Sequence, residues 1–128
     1  MLALVMLFVF AACSNNDTNI ARITNDIKEL EIKCREREAI QMDMLKADPG
    51  MHRGIVIVTG IKMFRDEYIQ EAKKKDSTIY RKAVDYNVLQ HDIAFLRNVI
   101  LKDISELKPE DQSRYGKTLD SLLAMPGL

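Results

Sequence analysis

The side chains that most often carry out chemistry are scarce in this sequence, which has two histidines and two cysteines. His52 and His91 lie far apart, and neither belongs to an HExxH or CxxC spacing that zinc sites use. The nearest ligand-like group is His91 with Asn87 and Asp92, which we interpret as a solvated helix face. The sequence has no GxSxG motif and no glycine-rich phosphate loop. We therefore predict no catalytic residue, no metal and no cofactor, and a protein that is not an enzyme.

The N-terminal segment ends at a cysteine whose neighbours are informative. The first twelve residues have no polar side chain, and the segment stops at Cys13, before the polar run 14–17. A membrane-spanning helix needs about 20 apolar residues, so the segment has the length of a signal-peptide core instead. Phe10-Ala11-Ala12-Cys13 resembles the lipobox of bacterial lipoproteins, in which small residues precede an invariant cysteine. Two features depart from that pattern: Phe10 stands where leucine is usual, and no Lys or Arg precedes the segment, which would fit a translation start further upstream.

This resemblance implies how the protein is processed and where in the cell it lies. It implies a signal peptide over residues 1–12, a lipidated Cys13 within a polar tether over 13–18, and a single domain over 19–128. In such lipoproteins an aspartate directly after the lipidated cysteine resembles a signal for retention in the inner membrane. That position is Ser14 here, so the resemblance implies a location in the outer membrane, facing the periplasm. A mature lipoprotein carries several acyl chains such as palmitate, which together give stable anchoring. An ordinary apolar N-terminal element, or a cleaved signal peptide without lipid, remains the alternative.

Composition limits the remaining function classes. The formal net charge is zero although 30% of the residues are charged. A neutral chain has no long-range attraction to phosphate backbones, so we expect no nucleic-acid partner. The length is that of one modest domain.

The first predicted helix, from about Thr18 to Ala47, carries an apolar stripe. Its members follow a heptad-like 3-4-3-4 spacing and end at Cys34: Ile20, Ile23, Ile27, Leu30 and Cys34. We expect Asp17 or Thr18 to cap its start. Ile20, Ile23, Ile27 and Leu30 are the candidate partner-binding residues. With Cys13 lipidated, Cys34 is a buried apolar filler, an intermolecular thiol or a reactive site.

Three further helices are predicted. One runs from about Met51 to Lys75, although Ile55–Val58 alone is typical of a strand. Two observations favour the helix: no partner strand is evident, and a helical stripe of apolar residues continues through Ile57, Ile61, Phe64, Tyr68 and Ala72. The next runs from Asp76-Ser77 to about Leu107, and the last starts at Pro109 and stops at Pro126-Gly127. The predicted fold is all-α: a small antiparallel helical bundle, or helical hairpin array, of about four helices after the signal segment.

These features favour a lipid-anchored protein that works by binding another envelope protein. In architecture alone it resembles secretion pilotins and exclusion-type lipoproteins. One alternative is a structural lipoprotein that forms a homodimer through the Ile20–Cys34 heptads. Another is an enzyme or metal carrier whose site has no recognised motif.

Overall fold

The protein is described here by a computed structural model that covers the backbone of residues 2–124 and the side chains of residues 16–124. The described chain is mostly helical, with four helices and one two-stranded sheet. The elements are α1 (Leu2–Ala47), a 3-10 turn (Met51–Gly54), β1 (Ile55–Val58), β2 (Ile61–Phe64), α2 (Asp66–Lys75), α3 (Ser77–Ser105) and α4 (Pro109–Leu123). Cys13 and the lipobox-like residues before it lie outside the described side chains.

Prolines set several helix limits. Pro49 disfavours helical geometry at Asp48, and α1 ends at Ala47. Pro109 occupies the first turn of α4, where its missing N–H costs nothing, and Glu110 and Asp111 follow in that turn. The predicted limits of α3 and the predicted start of α4 are confirmed to within a few residues. The predicted stop at Pro126-Gly127 lies outside the described residues. The predicted start of α1 is wrong, because the helix begins at Leu2 and runs through Asp17 and Thr18.

The predicted helix over residues 51–75 is wrong in its first half. Residues 55–64 form an antiparallel hairpin in which Ile55 pairs with Phe64 and Val58 with Ile61. Thr59 and Gly60 connect the strands with φ of 50° and 80°. Positive φ at both central residues matches the twist of a two-residue hairpin, and glycine adopts it without strain. Helical structure resumes at Asp66, with Asp66 and Glu67 in the first turn of α2.

The described chain comprises two compact units. Of the described residues, unit 1 contains 2–30 and 96–124, and unit 2 contains 31–95. The core residues of unit 1 come from α1, α3, the turn after α3 and α4: Ile23, Leu30, Leu96, Ile100, Ile104, Leu107 and Leu119. Within the described part of the chain, no helix combines the length and apolar character needed to cross a membrane.

The core of unit 2 is built around aromatic rings and methionines. Its buried cluster consists of Met44, Met51, Phe64, Ala83 and Tyr86. The α1 and α3 segments of this unit are antiparallel, because residues later in α1 contact residues earlier in α3. The pairs are Lys33–Asp92, Arg37–Gln90, Gln41–Tyr86 and Asp43–Lys82.

Candidate protein-binding surface

The apolar stripe predicted to bind a partner is largely enclosed in unit 1. Ile23 and Leu30 have no exposed surface, and Ile20 and Ile27 are half-buried. Heptad spacing is what two helices of one chain need in order to pack together. Burial inside unit 1 therefore explains the stripe, and its binding role stays a prediction.

Cys34 is fully buried in unit 2. Burial raises the pKa of its thiol, and the nearby Arg37 charge offsets this in part. Because thiolates are the nucleophilic form, this environment suits a small apolar filler. An intermolecular disulfide at Cys34 stays a prediction, and its formation requires local opening of the helix pair.

The histidine group considered in the sequence is not assembled. His91 is exposed, while the Asn87 side chain is bonded to the backbone of Phe64. Among the side chains described, no three His, Cys, Asp or Glu residues are grouped so as to hold a metal ion.

The hairpin presents a small apolar surface that the sequence analysis missed. We call Ile57, Val58, Thr59 and Gly60 the hairpin tip. Ile57 is 70% exposed and Val58 is 50% exposed, although both are large apolar side chains. Adjacent exposed apolar side chains, one on each face of the hairpin, make the two-residue turn a candidate binding surface. Thr59-Gly60 is a weaker turn signal than Asn-Gly, and a two-residue hairpin was therefore not predicted at this position.

The outer edge of β2 is occupied by α3. The Phe64 N–H donates to Oδ1 of Asn87 at 2.8 Å, and Nδ2 of Asn87 donates to the Phe64 carbonyl at 3.0 Å. One turn further along α3, Nε2 of Gln90 donates to the Lys62 carbonyl at 2.9 Å. Two amide side chains thus take the place of a neighbouring strand.

Gln90 also joins the hairpin to a buried polar layer. Its Oε1 accepts a hydrogen bond from Nη1 of Arg37 at 3.0 Å. Its Nε2 lies 3.3 Å from the Tyr86 hydroxyl, which also accepts from Nε2 of Gln41. Arg37, Gln41 and Gln90 are each more than 90% buried, and the hydrogen bonds of this layer replace part of the lost solvation. Nε of Arg37 has no hydrogen-bond partner among the described residues.

The outer edge of β1 is open. Residues of an antiparallel strand direct their backbone polar groups alternately toward and away from the neighbouring strand. The backbone polar groups of Lys62 and Phe64 point away from β1, toward α3. Ile57 and Ile55 are the cross-strand partners of these two residues, so their backbone polar groups point away from β2. The Ile55 N–H is bonded to the His52 carbonyl. In the described part of the chain, the N–H and C=O of Ile57 have no neighbouring strand.

The base of the hairpin packs against aromatic rings. The Phe64 ring stacks on Tyr68 with centroids 4.9 Å apart and meets Tyr86 edge-on at 5.0 Å. The Tyr68 hydroxyl donates to Oδ2 of Asp48 at 2.8 Å. Burial, and then this bond to Asp48, raise the pKa of Tyr68 well above its usual value.

A shallow cleft of about 210 Å³ lies beside this base. Its walls come from the end of α1, from α2 and from the start of α3: Asp48, Tyr68, Glu71, Ala72, Lys75, Asp76 and Ile79. Small-molecule sites usually occupy about 300–1,000 Å³, so the cleft is small for such a ligand. The hairpin is the better candidate for a functional surface.

Comparison of the chain with protein-family models, with curated proteins and with solved structures finds no match.

Proposed function

We propose that this chain is a lipid-anchored protein of the bacterial envelope that binds another envelope protein through the hairpin tip. Its anchor is the lipid at Cys13, and it faces the periplasm from the outer membrane. The apolar N-terminal segment and the lipobox-like residues before Cys13 support lipid anchoring in the envelope. The observation that carries the binding role is the exposure of Ile57 and Val58 on a hairpin whose base packs against aromatic rings.

The helical part serves as a scaffold in this proposal. We place its helices in an antiparallel bundle, a finer arrangement that the antiparallel contacts of unit 2 support. A pilotin-like or exclusion-type adaptor needs such a rigid support and no catalytic group. Function then depends on where the anchor holds the hairpin, since a fixed position raises the effective concentration of a binding surface.

Self-association through the Ile20–Cys34 heptads is the less favoured role. Ile23, Leu30 and Cys34 have no exposed surface with which to meet a second copy. A homodimer built on this stripe would first have to separate α1 from its packing.

The lipid anchor is tested by Cys13→Ala in the full-length precursor. We expect the variant to lose globomycin-sensitive processing and to move from the membrane fraction to the soluble fraction, because it has no thiol to accept the diacylglycerol. Cys34→Ala is the matched control and should fractionate like the unaltered chain. Unchanged mobility and membrane association of Cys13→Ala would exclude the anchor.

The binding role is tested by placing a photocrosslinking amino acid at Ile57 in cells. We expect a discrete adduct with one envelope protein, because the 70% exposed side chain lies at the proposed contact. The control position is Gln70, which is exposed on α2 of the same unit. Equal labelling from both positions, or no adduct from Ile57, would count against the hairpin as a binding surface.

A further inference from the structure

We propose that the partner contributes an extended segment that adds a strand to the outer edge of β1, with an acidic residue of that segment bound by Arg65. This inference rests on the proposed function, because it assumes that the hairpin is the binding surface. It specifies the bound conformation and the chemistry of the partner.

The two edges of the hairpin are treated differently by the rest of the chain. Asn87 and Gln90 hydrogen-bond to the outer edge of β2 and so prevent strand addition there. The outer edge of β1 has no such cover in the described structure. Proteins usually protect exposed edges with charge, proline or a bulge, because an open edge pairs with other chains. β1 consists of four β-branched apolar residues, so the open edge is suited to strand addition.

The side chains around this edge suit an extended segment with apolar character. Ile57 and Val58 project to opposite faces of the hairpin, and both are at least half exposed. A strand laid along β1 would place successive side chains beside each of them. Its backbone would pair with the outward N–H and C=O of Ile57.

The positive charge of Arg65 at the start of β1 is the reason to expect an acidic residue in the partner segment. Nη2 of Arg65 donates to the Arg53 carbonyl at 2.8 Å, so its guanidinium lies where β1 begins. Arg53 and Arg65 are both exposed, and neither forms an ion pair among the described side chains. Asp66 and Glu67 lie next to Arg65 in sequence, in the first turn of α2, where the helix dipole favours them. The remaining guanidinium donors of Arg65 match a carboxylate of the partner.

This charge favours a different protein over a second copy of the chain. Two copies of β1 paired antiparallel about Ile57 would bring the uncharged Thr59-Gly60 turn to the arginines of the other copy. No carboxylate would then meet Arg65. A separate acidic segment satisfies both the backbone edge and the guanidinium.

The test uses the full chain in detergent and short synthetic probe peptides. The first probe alternates valine and threonine and carries a terminal aspartate. A second replaces the aspartate by lysine, and a third is methylated at alternate backbone nitrogens. We expect amide shifts at residues 55–58 with the aspartate probe. Binding should be about tenfold weaker for the other two, as expected for one or two lost hydrogen bonds.

Variants of the chain separate backbone from side-chain effects. Ile57→Pro removes one outward N–H and leaves the hydrogen bonds between β1 and β2 intact. It should weaken binding of the aspartate probe about tenfold. Ile57→Thr keeps that N–H and alters only the side chain, so it should weaken binding less than Ile57→Pro does. Arg65→Gln should abolish the preference for aspartate over lysine, whereas Arg81→Gln, at another exposed arginine of unit 2, should preserve it.

Each alternative has its own result. If Ile57 crosslinks to a partner in cells while N-methylation and Ile57→Pro change nothing, strand addition is wrong and the binding module stands. If Ile57 gives no adduct, the proposed function fails as well. Equal binding of the aspartate and lysine probes would overturn the acidic specificity. A peptide-free dimer that Ile57→Pro dissociates would identify a second copy as the occupant.

Discussion

Phe64→Ala should lower the free energy of unfolding by about 3–5 kcal/mol, the usual cost of removing a buried aromatic ring. Phe64 is 3% exposed and lies in the core cluster of unit 2. Its ring contacts both Tyr68 and Tyr86, so its loss leaves a cavity that two fixed rings cannot fill. The hairpin should loosen at the same time, because this ring joins β2 to the core.

Urea unfolding followed by circular dichroism measures this effect. Phe64→Leu is the matched control: it keeps most of the apolar volume and should cost clearly less than alanine, roughly 1–1.5 kcal/mol. Amide exchange at residues 55–64 should accelerate in the alanine variant before the helices are affected. A cost below about 1 kcal/mol would mean that the aromatic cluster contributes little to holding the hairpin.

Helices were predictable where local signals agreed. In α3, apolar positions recur with helical spacing, and Pro109 marks the start of the next helix, so both elements follow from short-range rules. The hairpin did not follow, because its side chains also fit a helical stripe from Ile57 through Phe64 to Tyr68. What decides between the two is tertiary: Phe64 is buried between aromatic rings, and α3 amides bond to the edge of β2. No local pattern contains that information.

The stripe of α1 shows a second limit of sequence reasoning. Apolar heptads predict that Ile23 and Leu30 lie on a packing face of the helix. Both side chains are fully buried in unit 1. The same spacing would serve a partner protein or a second copy equally well. Periodicity therefore identifies a packing face but not the molecule that covers it.

The continuation of that stripe was hidden because its positions are polar. Arg37 and Gln41 follow Cys34 at 3 and 4 residue intervals and are buried against α3. Polar side chains in a helix interface cost solvation unless they are matched, so a shifted register between α1 and α3 would break the hydrogen bonds that these residues make. Gln90 provides the match and also bonds to the hairpin. The position of the candidate surface thus depends on residues that a hydrophobic pattern overlooks.

Gly54→Ala should lower the free energy of unfolding by about 1–3 kcal/mol through overpacking, despite being a one-methyl change. A Cβ at this buried position would lie 2.4 Å from Cδ2 and 2.6 Å from Cγ of Tyr68. The ring cannot move aside easily, since its hydroxyl bonds to Asp48 and its face stacks on Phe64. Gly54 is therefore needed for close approach between the start of β1 and α2.

A double-mutant cycle tests this cause. In a Tyr68→Ala background the added methyl has room, so the cost of Gly54→Ala should largely disappear. Gly116→Ala in α4 is the opposite control: a Cβ there meets no atom within 4 Å, and alanine should stabilise the helix by roughly 0.5–1 kcal/mol. An undiminished cost in the Tyr68→Ala background would show that backbone conformation, rather than the ring, requires glycine. With the ring confirmed as the cause, the aromatic base that fixes the hairpin would be shown to begin at Gly54, directly before the strand proposed to receive the partner.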